Sequence, residues 1–367
     1  MAKILIWMSP EPGHLLPLVK VARDLIARGH DVTFQTVPSI RLELVRLGFE
    51  TLSCFDELPH ENLSILRPCH SASVIYKTLA QRIPSVADRA EFIRDELVRG
   101  VMATQADLLM VDGIMHHNFS LKLRPLIPAR CAVLRIFTHL AHSPEFARDA
   151  RSSGSEDPMV FLSPVEFELP RMRTKEFIYT EGAFYDVLSP FQVRSVPTVA
   201  CCFGSQSEQY DRLTFHVNTL TEAARFLPEI RFVMDRKLVE RVRKGAPSEW
   251  PVNVEGIAAD EIPFFGRSVA AVITHGGFGT IKRCIAYARP IIVVPQAWDQ
   301  DMNGRRVLYH NLGFKVDPEQ ATPRSIAKII ARAVGTDACS ASLAAMRETF
   351  ATADKEMRTA VLCEQLL

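Results

Sequence analysis

Apolar positions along this chain fall into two alternating rhythms. Through residues 1–140, short aliphatic runs read as strands: Lys3–Met8, Val32–Phe34, Phe49–Leu52, Leu108–Val111 and Cys131–Ile136. Between them apolar residues recur at helical spacing, as in Leu15–Arg28 and the stretch ending at Leu47. Gly29 and Gly48 follow those two helices, where the left-handed closing position is least costly for glycine. Strands alternating with helices predict βαβ units and a mostly parallel sheet.

The rhythm lapses over 53–75 and 139–195, where Pro, Ser and charged residues collect, and it restarts at Pro197. Thr198–Cys202, Arg231–Met234, Val252–Val254, Val269–Thr274 and Ile291–Val294 then read as strands. Leu213–Phe226, Gln300–Asn311, Pro323–Val334 and Ser340–Leu366 read as helices. The pattern predicts two α/β domains in tandem, divided near 186–197. They are residues 1–190 and 191–367, with the last helix able to cross back to the first domain.

Composition agrees with two cores: 367 residues at 47% apolar are too many for one. Charge is balanced, with 43 Lys and Arg against 42 Asp and Glu, so no general basic field points to nucleic acid. Any anion must be held locally. No run approaches the ~18 apolar residues of a membrane span, and the first, Ile4–Met8, is too short for a signal segment. The expectation is a cytoplasmic protein without membrane insertion. Eight cysteines with no C-x-x-C pair suggest neither a disulfide framework nor a zinc site.

Two places carry candidate chemistry. The strand Val269–Ile273 runs into Thr274-His275-Gly276-Gly277-Phe278-Gly279-Thr280, and helical spacing resumes at Ile281. Such a turn aims backbone N–H groups and a positive dipole end at one point, a natural phosphate cradle, although a plain glycine-bearing turn has the same local pattern. The next strand ends at Pro295 and is followed by Trp298-Asp299-Gln300 and Asn303. Ligands of doubly wound sheets lie beyond strand carboxyl ends. An acid–amide pair there suits sugar hydroxyls beside a diphosphate.

In the first half, Pro12-Gly13-His14 lies between the first strand and first helix, and Asp112 ends the fourth strand. A neutral histidine accepts a proton from a hydroxyl near physiological pH. A carboxylate on its other ring nitrogen would fix the tautomer. Alone, His14 would read equally as a helix-start hydrogen bonder.

At this point a family resemblance becomes specific. "ITHGGFGT" followed by "ARPIIVVPQAWDQDMNGRRV", together with the opening "GHLLPLVKVARDLIARGHDVTF", resembles the family 1 glycosyltransferases that use UDP- or TDP-sugars. The likeness reaches both ends of the chain. It implies the GT-B fold, two Rossmann-like parallel-sheet domains facing across a cleft. It implies a diphosphate held by His275, Gly277, Phe278, Gly279 and Thr280, with Gly204 and Ser205 in the family's "GS/GT" loop. It implies a donor sugar at Trp298, Asp299 and Gln300.

His14 and Asp112 match the family's histidine–aspartate dyad. The implied reaction is inverting sugar transfer from a UDP- or dTDP-sugar to a hydroxyl of a lipophilic natural product. The donor is a co-substrate, and no cofactor or metal is implied, although Asp299-Gln300-Asp301 spells a D-x-D. Partners are then the nucleotide sugar and the acceptor, with a homodimer left open. Acceptor contacts are expected from Phe55, Ile65, Met115, Phe119, Phe137, Phe146, Phe161 and Phe184.

The nucleoside end departs from the family. Arg283 stands where a glutamate usually accepts from the ribose, and Ile257 where an aromatic stacks on the base. Ala259-Asp260 replaces the following Pro-Gln. A thymidine donor, lacking the 2′-hydroxyl, is the reading this favours. A lipid-linked sugar transferase, a catalytically silent homologue that binds a sugar nucleotide or assists a partner transferase, and a nicotinamide dehydrogenase are the competing readings. The last lacks its G-x-G-x-x-G at either glycine turn.

Overall fold

The computed structural model describes residues 1–9, 12–56, 81–113, 116, 121, 123–138, 146, 157–184, 196–204, 207, 210–244, 249–258, 269–335 and 339–367. The chain divides into two compact units. The first holds the described residues up to 184 together with 352–367, and the second holds 196–351.

The first unit opens with β1 (Lys3–Trp7), α1 (Pro12–Ala27), β2 (Asp31–Thr36), α2 (Pro38–Arg46) and β3 (Glu50–Ser53). It continues through α3 (Val86–Thr104), β4 (Leu108–Asp112), β5 (Ala132–Phe137), β6 (Met159–Phe161) and β7 (Phe177–Tyr179). The sheet order is β3-β2-β1-β4-β5-β6-β7 and every pairing is parallel. Ile4–Met8 and all of Leu108–Asp112 are buried, as sheets covered on both faces require.

β6 and β7 lie where the sequence read as irregular. Strands of three residues carry no alternation to read. Besides their backbone pairing, they share an aromatic contact: Phe161 and Phe177 stack with centroids 4.0 Å apart.

The second unit holds β8 (Thr198–Cys202), α4 (Leu213–Ala224), β9 (Arg231–Asp235), α5 (Arg236–Arg243), β10 (Val254–Ile257) and β11 (Val269–Thr274). After these come α6 (Phe278–Ala286), β12 (Ile291–Val293), α7 (Gln300–Tyr309), β13 (Gly313–Lys315) and α8 (Pro323–Gly335). Its order, β10-β9-β8-β11-β12-β13, is also parallel throughout. β10 starts two residues later than its apolar pattern suggested.

The tail, read as one helical stretch, is two helices: α9 (Ser340–Glu356) and α10 (Arg358–Leu366). They are separated by Met357 in the left-handed region at φ +49. α10 packs on α1 of the first unit. Asp354 accepts the backbone N–H groups of Ala183 (2.8 Å) and Phe184 (3.2 Å). Glu181, buried, accepts the N–H of Thr359 in the first turn of α10 at 2.9 Å.

Candidate active site

In the first unit β1 and β4 are neighbours, with Trp7 opposite Val111, so both chains leave the sheet at the same edge. The strand end of β4 is Asp112, and the first turn of α1 carries His14. The two meet: His14 Nδ1 lies 2.7 Å from Asp112 Oδ2, with His14 8% and Asp112 1% exposed. The same carboxylate oxygen accepts the Ser9 N–H at 3.2 Å. With Asp112 as a carboxylate, the ring proton sits on Nδ1. Nε2 then carries the ring's lone pair. Ser9 went unnoticed in the sequence because a backbone donor leaves no residue signature.

Beside the dyad stands an aromatic wall. A Cβ on Gly113 would come 2.3 Å from the Phe137 ring, so the glycine after Asp112 is the room that ring occupies. Phe137 contacts Phe146, Phe161 and Phe177 edge-on at 5.8, 5.6 and 5.1 Å. Of the expected acceptor contacts, Phe55, Phe137 and Phe161 are buried, whereas Phe146 and Phe184 are half-buried. Ile65, Met115 and Phe119 lie outside the described residues.

In the second unit β11 ends at Thr274 and α6 begins at Phe278, with Gly277 as N-cap and no side-chain cap. Gly276 sits at φ +97, and a Cβ there would press on Val293 at 2.8 Å and the Gln300 carbonyl at 3.0 Å. His275 is buried, its Nδ1 3.4 Å from the Cys202 carbonyl. Its ring fills the space left by two glycines: a Cβ on Gly204 would meet it at 2.7 Å, and one on Gly277 at 2.4 Å. Burial pushes the imidazole down to about 4, so it is neutral at pH 7. His275 therefore brings no charge to the turn, and its neutral ring has a single N–H. Phe278 is buried, whereas Gly279 and Thr280 lie in the first turn of α6. Ser205 lies outside the described residues.

The segment after β12 is bound into the unit by its own polar groups. Gln300 Oε1 accepts the N–H groups of Gln296 (2.8 Å) and Ala297 (3.0 Å), and its Nε2 donates to the Tyr210 hydroxyl at 3.0 Å. Asn303 donates to both Asp299 Oδ2 (2.8 Å) and the Gly276 carbonyl (2.9 Å). Its own carbonyl accepts from the fully buried Arg306 at 2.9 Å. One amide thus ties the glycine turn to the carboxylate. Trp298 is 62% exposed at φ +53, an uncommon conformation for a bulky residue. Tyr210, unmarked in the sequence except as a lone aromatic in a polar loop, lies between the His275 ring (5.9 Å) and the Trp298 ring (5.6 Å).

At the nucleoside end, Ile257 closes β10, is buried, and pairs in register with Asp235. Arg283 is half-buried on α6, and both it and Asp235 act electrostatically on the Cys202 thiol. Asp260 lies outside the described residues. Among the described residues no cluster of three His, Cys, Asp or Glu could hold a metal, and no helix is long and apolar enough to cross a membrane.

Two all-parallel α/β units, each with its candidate groups at strand carboxyl ends, define the GT-B fold. Residues 218–366 match the family described as Erythromycin biosynthesis protein CIII-like, C-terminal domain. The zeaxanthin glucosyltransferase of Pseudescherichia vulneris is 34% identical over 105 residues, 29% of this chain, and the match spans 25% of that relative's length. The glycotransferase of kitacinnamycin superposes with a TM-score of 0.73 at 21% identity, over 100% of this chain and 99% of that one. Spinosyn rhamnosyltransferase is 18% identical. Complexed with thymidine diphosphate, it gives a TM-score of 0.70 over 98% of this chain and 99% of that one. Complexed with spinosyn aglycone, it gives 0.71 over 100% of each. The chain thus has the GT-B fold of these structures, and its residues 218–366 match an EryCIII-like C-terminal domain.

Proposed function

We propose that this protein is an inverting glycosyltransferase that moves a sugar from a dTDP-sugar to a hydroxyl of a lipophilic natural product. The single observation that carries the reading is the buried 2.7 Å pairing of His14 and Asp112 at the carboxyl ends of adjacent strands. His14 Nε2 takes the acceptor proton as the hydroxyl oxygen bonds to the anomeric carbon, and the bond from that carbon to the diphosphate oxygen breaks. Asp112 holds the tautomer and balances the charge that forms. The leaving diphosphate is received by the start of α6 and by His275, Thr280 and the Gly204–Ser205 loop. Asp299 faces the sugar.

Thymidine is favoured over uridine because Arg283 offers no acceptor to a 2′-hydroxyl. The spinosyn rhamnosyltransferase bound to thymidine diphosphate and the aglycone-bound form of the same protein support this pairing of donor and acceptor classes. The amide dipoles at α6 carry the phosphate charge, so the reaction runs without metal or cofactor. Seven described cysteines are free and buried, which suits a reducing cytoplasm.

The test is a mass-spectrometric screen of dTDP- and UDP-sugars against hydroxylated polyketide and aromatic acceptors. Wild type should add one sugar mass, most efficiently from dTDP donors, and His14→Ala should not. Equal turnover by His14→Ala, or clearly tighter UDP than dTDP binding, would contradict the corresponding part.

A further inference from the structure

Neutral His275 has one ring hydrogen to give, and two neighbours compete over which nitrogen carries it. Nδ1 lies 3.4 Å from the Cys202 carbonyl and 3.3 Å from the Thr274 hydroxyl. Toward the carbonyl Nδ1 has to donate; toward a donating hydroxyl it has to accept. Nε2 lies against the open sides of two glycines, since a Cβ on Gly204 would stand 2.8 Å from it and one on Gly277 2.4 Å. Among the described residues Nε2 has no hydrogen-bond partner. The tautomer therefore decides what the glycine turn shows to an anion: an N–H attracts it and a lone pair repels it.

Thr274 bears on that choice. It closes β11, is completely buried, and its Oγ1 accepts the Gly276 N–H at 3.2 Å. The hydroxyl hydrogen still needs an acceptor, and among the described residues His275 Nδ1 is the one it reaches. The Cys202 carbonyl already takes the backbone N–H of His275, also at 3.4 Å. A ring proton on Nδ1 would leave the buried threonine hydrogen unpaired, which costs more than the long contact to Cys202 gains. A ring proton on Nε2 pairs the threonine hydrogen and leaves one N–H open, beside the turn at the start of α6.

Resting on the sugar-nucleotide reading above, we propose that Thr274 is a positioning residue for the reaction. By donating to His275 Nδ1 it fixes the ring proton on Nε2, and so makes a buried, uncharged histidine a hydrogen-bond donor to the leaving diphosphate. The two histidines of the account then stand in opposite tautomers for opposite tasks. Asp112 keeps the His14 proton on Nδ1, so that Nε2 accepts. Thr274 keeps the His275 proton on Nε2, so that Nε2 donates.

The experiment is nitrogen-15 NMR of protein labelled in its histidine rings, with and without saturating dTDP. It compares wild type, Thr274→Val and Thr274→Ser, and the signals missing from His275→Gln assign the ring. Calorimetric titration gives the dTDP affinity of each. In wild type bound to dTDP the proton should sit on Nε2. Thr274→Val should move it to Nδ1 and weaken dTDP by about tenfold, the worth of one hydrogen bond to a charged group. Thr274→Ser should restore both. Valine also orphans the Gly276 N–H, and a purely structural effect of that loss would lower affinity without moving the proton; that result overturns the assignment. So does a wild-type ring protonated on Nδ1 in the dTDP complex, a measurement that stands even where the valine variant does not fold. Both outcomes leave the sugar-nucleotide reading intact, whereas failure of wild type to bind dTDP or UDP removes that reading and this proposal with it.

Discussion

A Cβ on Gly277 would stand 2.4 Å from Nε2 of His275, so the imidazole occupies the space of the side chain the glycine lacks. The glycine run in this chain therefore does two things. It shortens the approach to a helix start, and it makes room for a buried histidine. Gly277→Ala must displace the ring or the turn. Overpacking of this kind costs about 1–3 kcal/mol, and dTDP affinity should fall with it. Denaturant unfolding and dTDP titration check both; wild-type values for the variant would show that the ring can move aside freely.

The same burial sets a pH dependence. His275 takes its proton at about 4 when folded and near 6.5 when unfolded, so between those values the unfolded chain binds more protons. Stability from this group is full above about 6.5 and is lost as pH falls toward 4, roughly 2 kcal/mol of it between pH 7 and pH 5. Urea midpoints at the two pH values should show the drop, and His275→Gln should show a smaller one.

Asp354 accepts two backbone N–H groups, from Ala183 and Phe184. Asp354→Ala removes this acceptor from both, which should cost about 1–3 kcal/mol in unfolding free energy. An unchanged urea midpoint would mean that those amides find other partners.

Arg283→Glu restores an acceptor at the ribose position. It should raise UDP affinity relative to dTDP by about tenfold, the worth of one well-made hydrogen bond. A UDP:dTDP ratio equal to that of wild type would remove Arg283 from the account of base selection.

Much of this architecture was legible in the sequence because strands buried on both faces leave continuous apolar runs, as in Leu108–Asp112 and Val269–Thr274. The glycine turn and the positions of His14 and Asp112 followed from strand–helix order alone. β6 and β7 were not legible, since three residues cannot display a period. The break at Met357 was hidden because helical spacing continues on both sides of it. Tyr210 was missed for a different reason. Its importance lies in a hydrogen bond to Gln300, ninety positions away in the chain, and no local pattern encodes such a contact.

The claim on which most depends is that His14 accepts the acceptor's proton. Chemical rescue tests it most directly: turnover by His14→Ala measured with and without added imidazole, beside Asp112→Asn. Loss of a general base lowers kcat by about 10²–10⁴-fold. The account predicts such a loss in His14→Ala with dTDP binding intact, partial recovery with imidazole, and a kcat defect in Asp112→Asn that imidazole does not repair. A His14→Ala enzyme that turns over at the wild-type rate, or that binds dTDP normally yet gains nothing from imidazole, would contradict it.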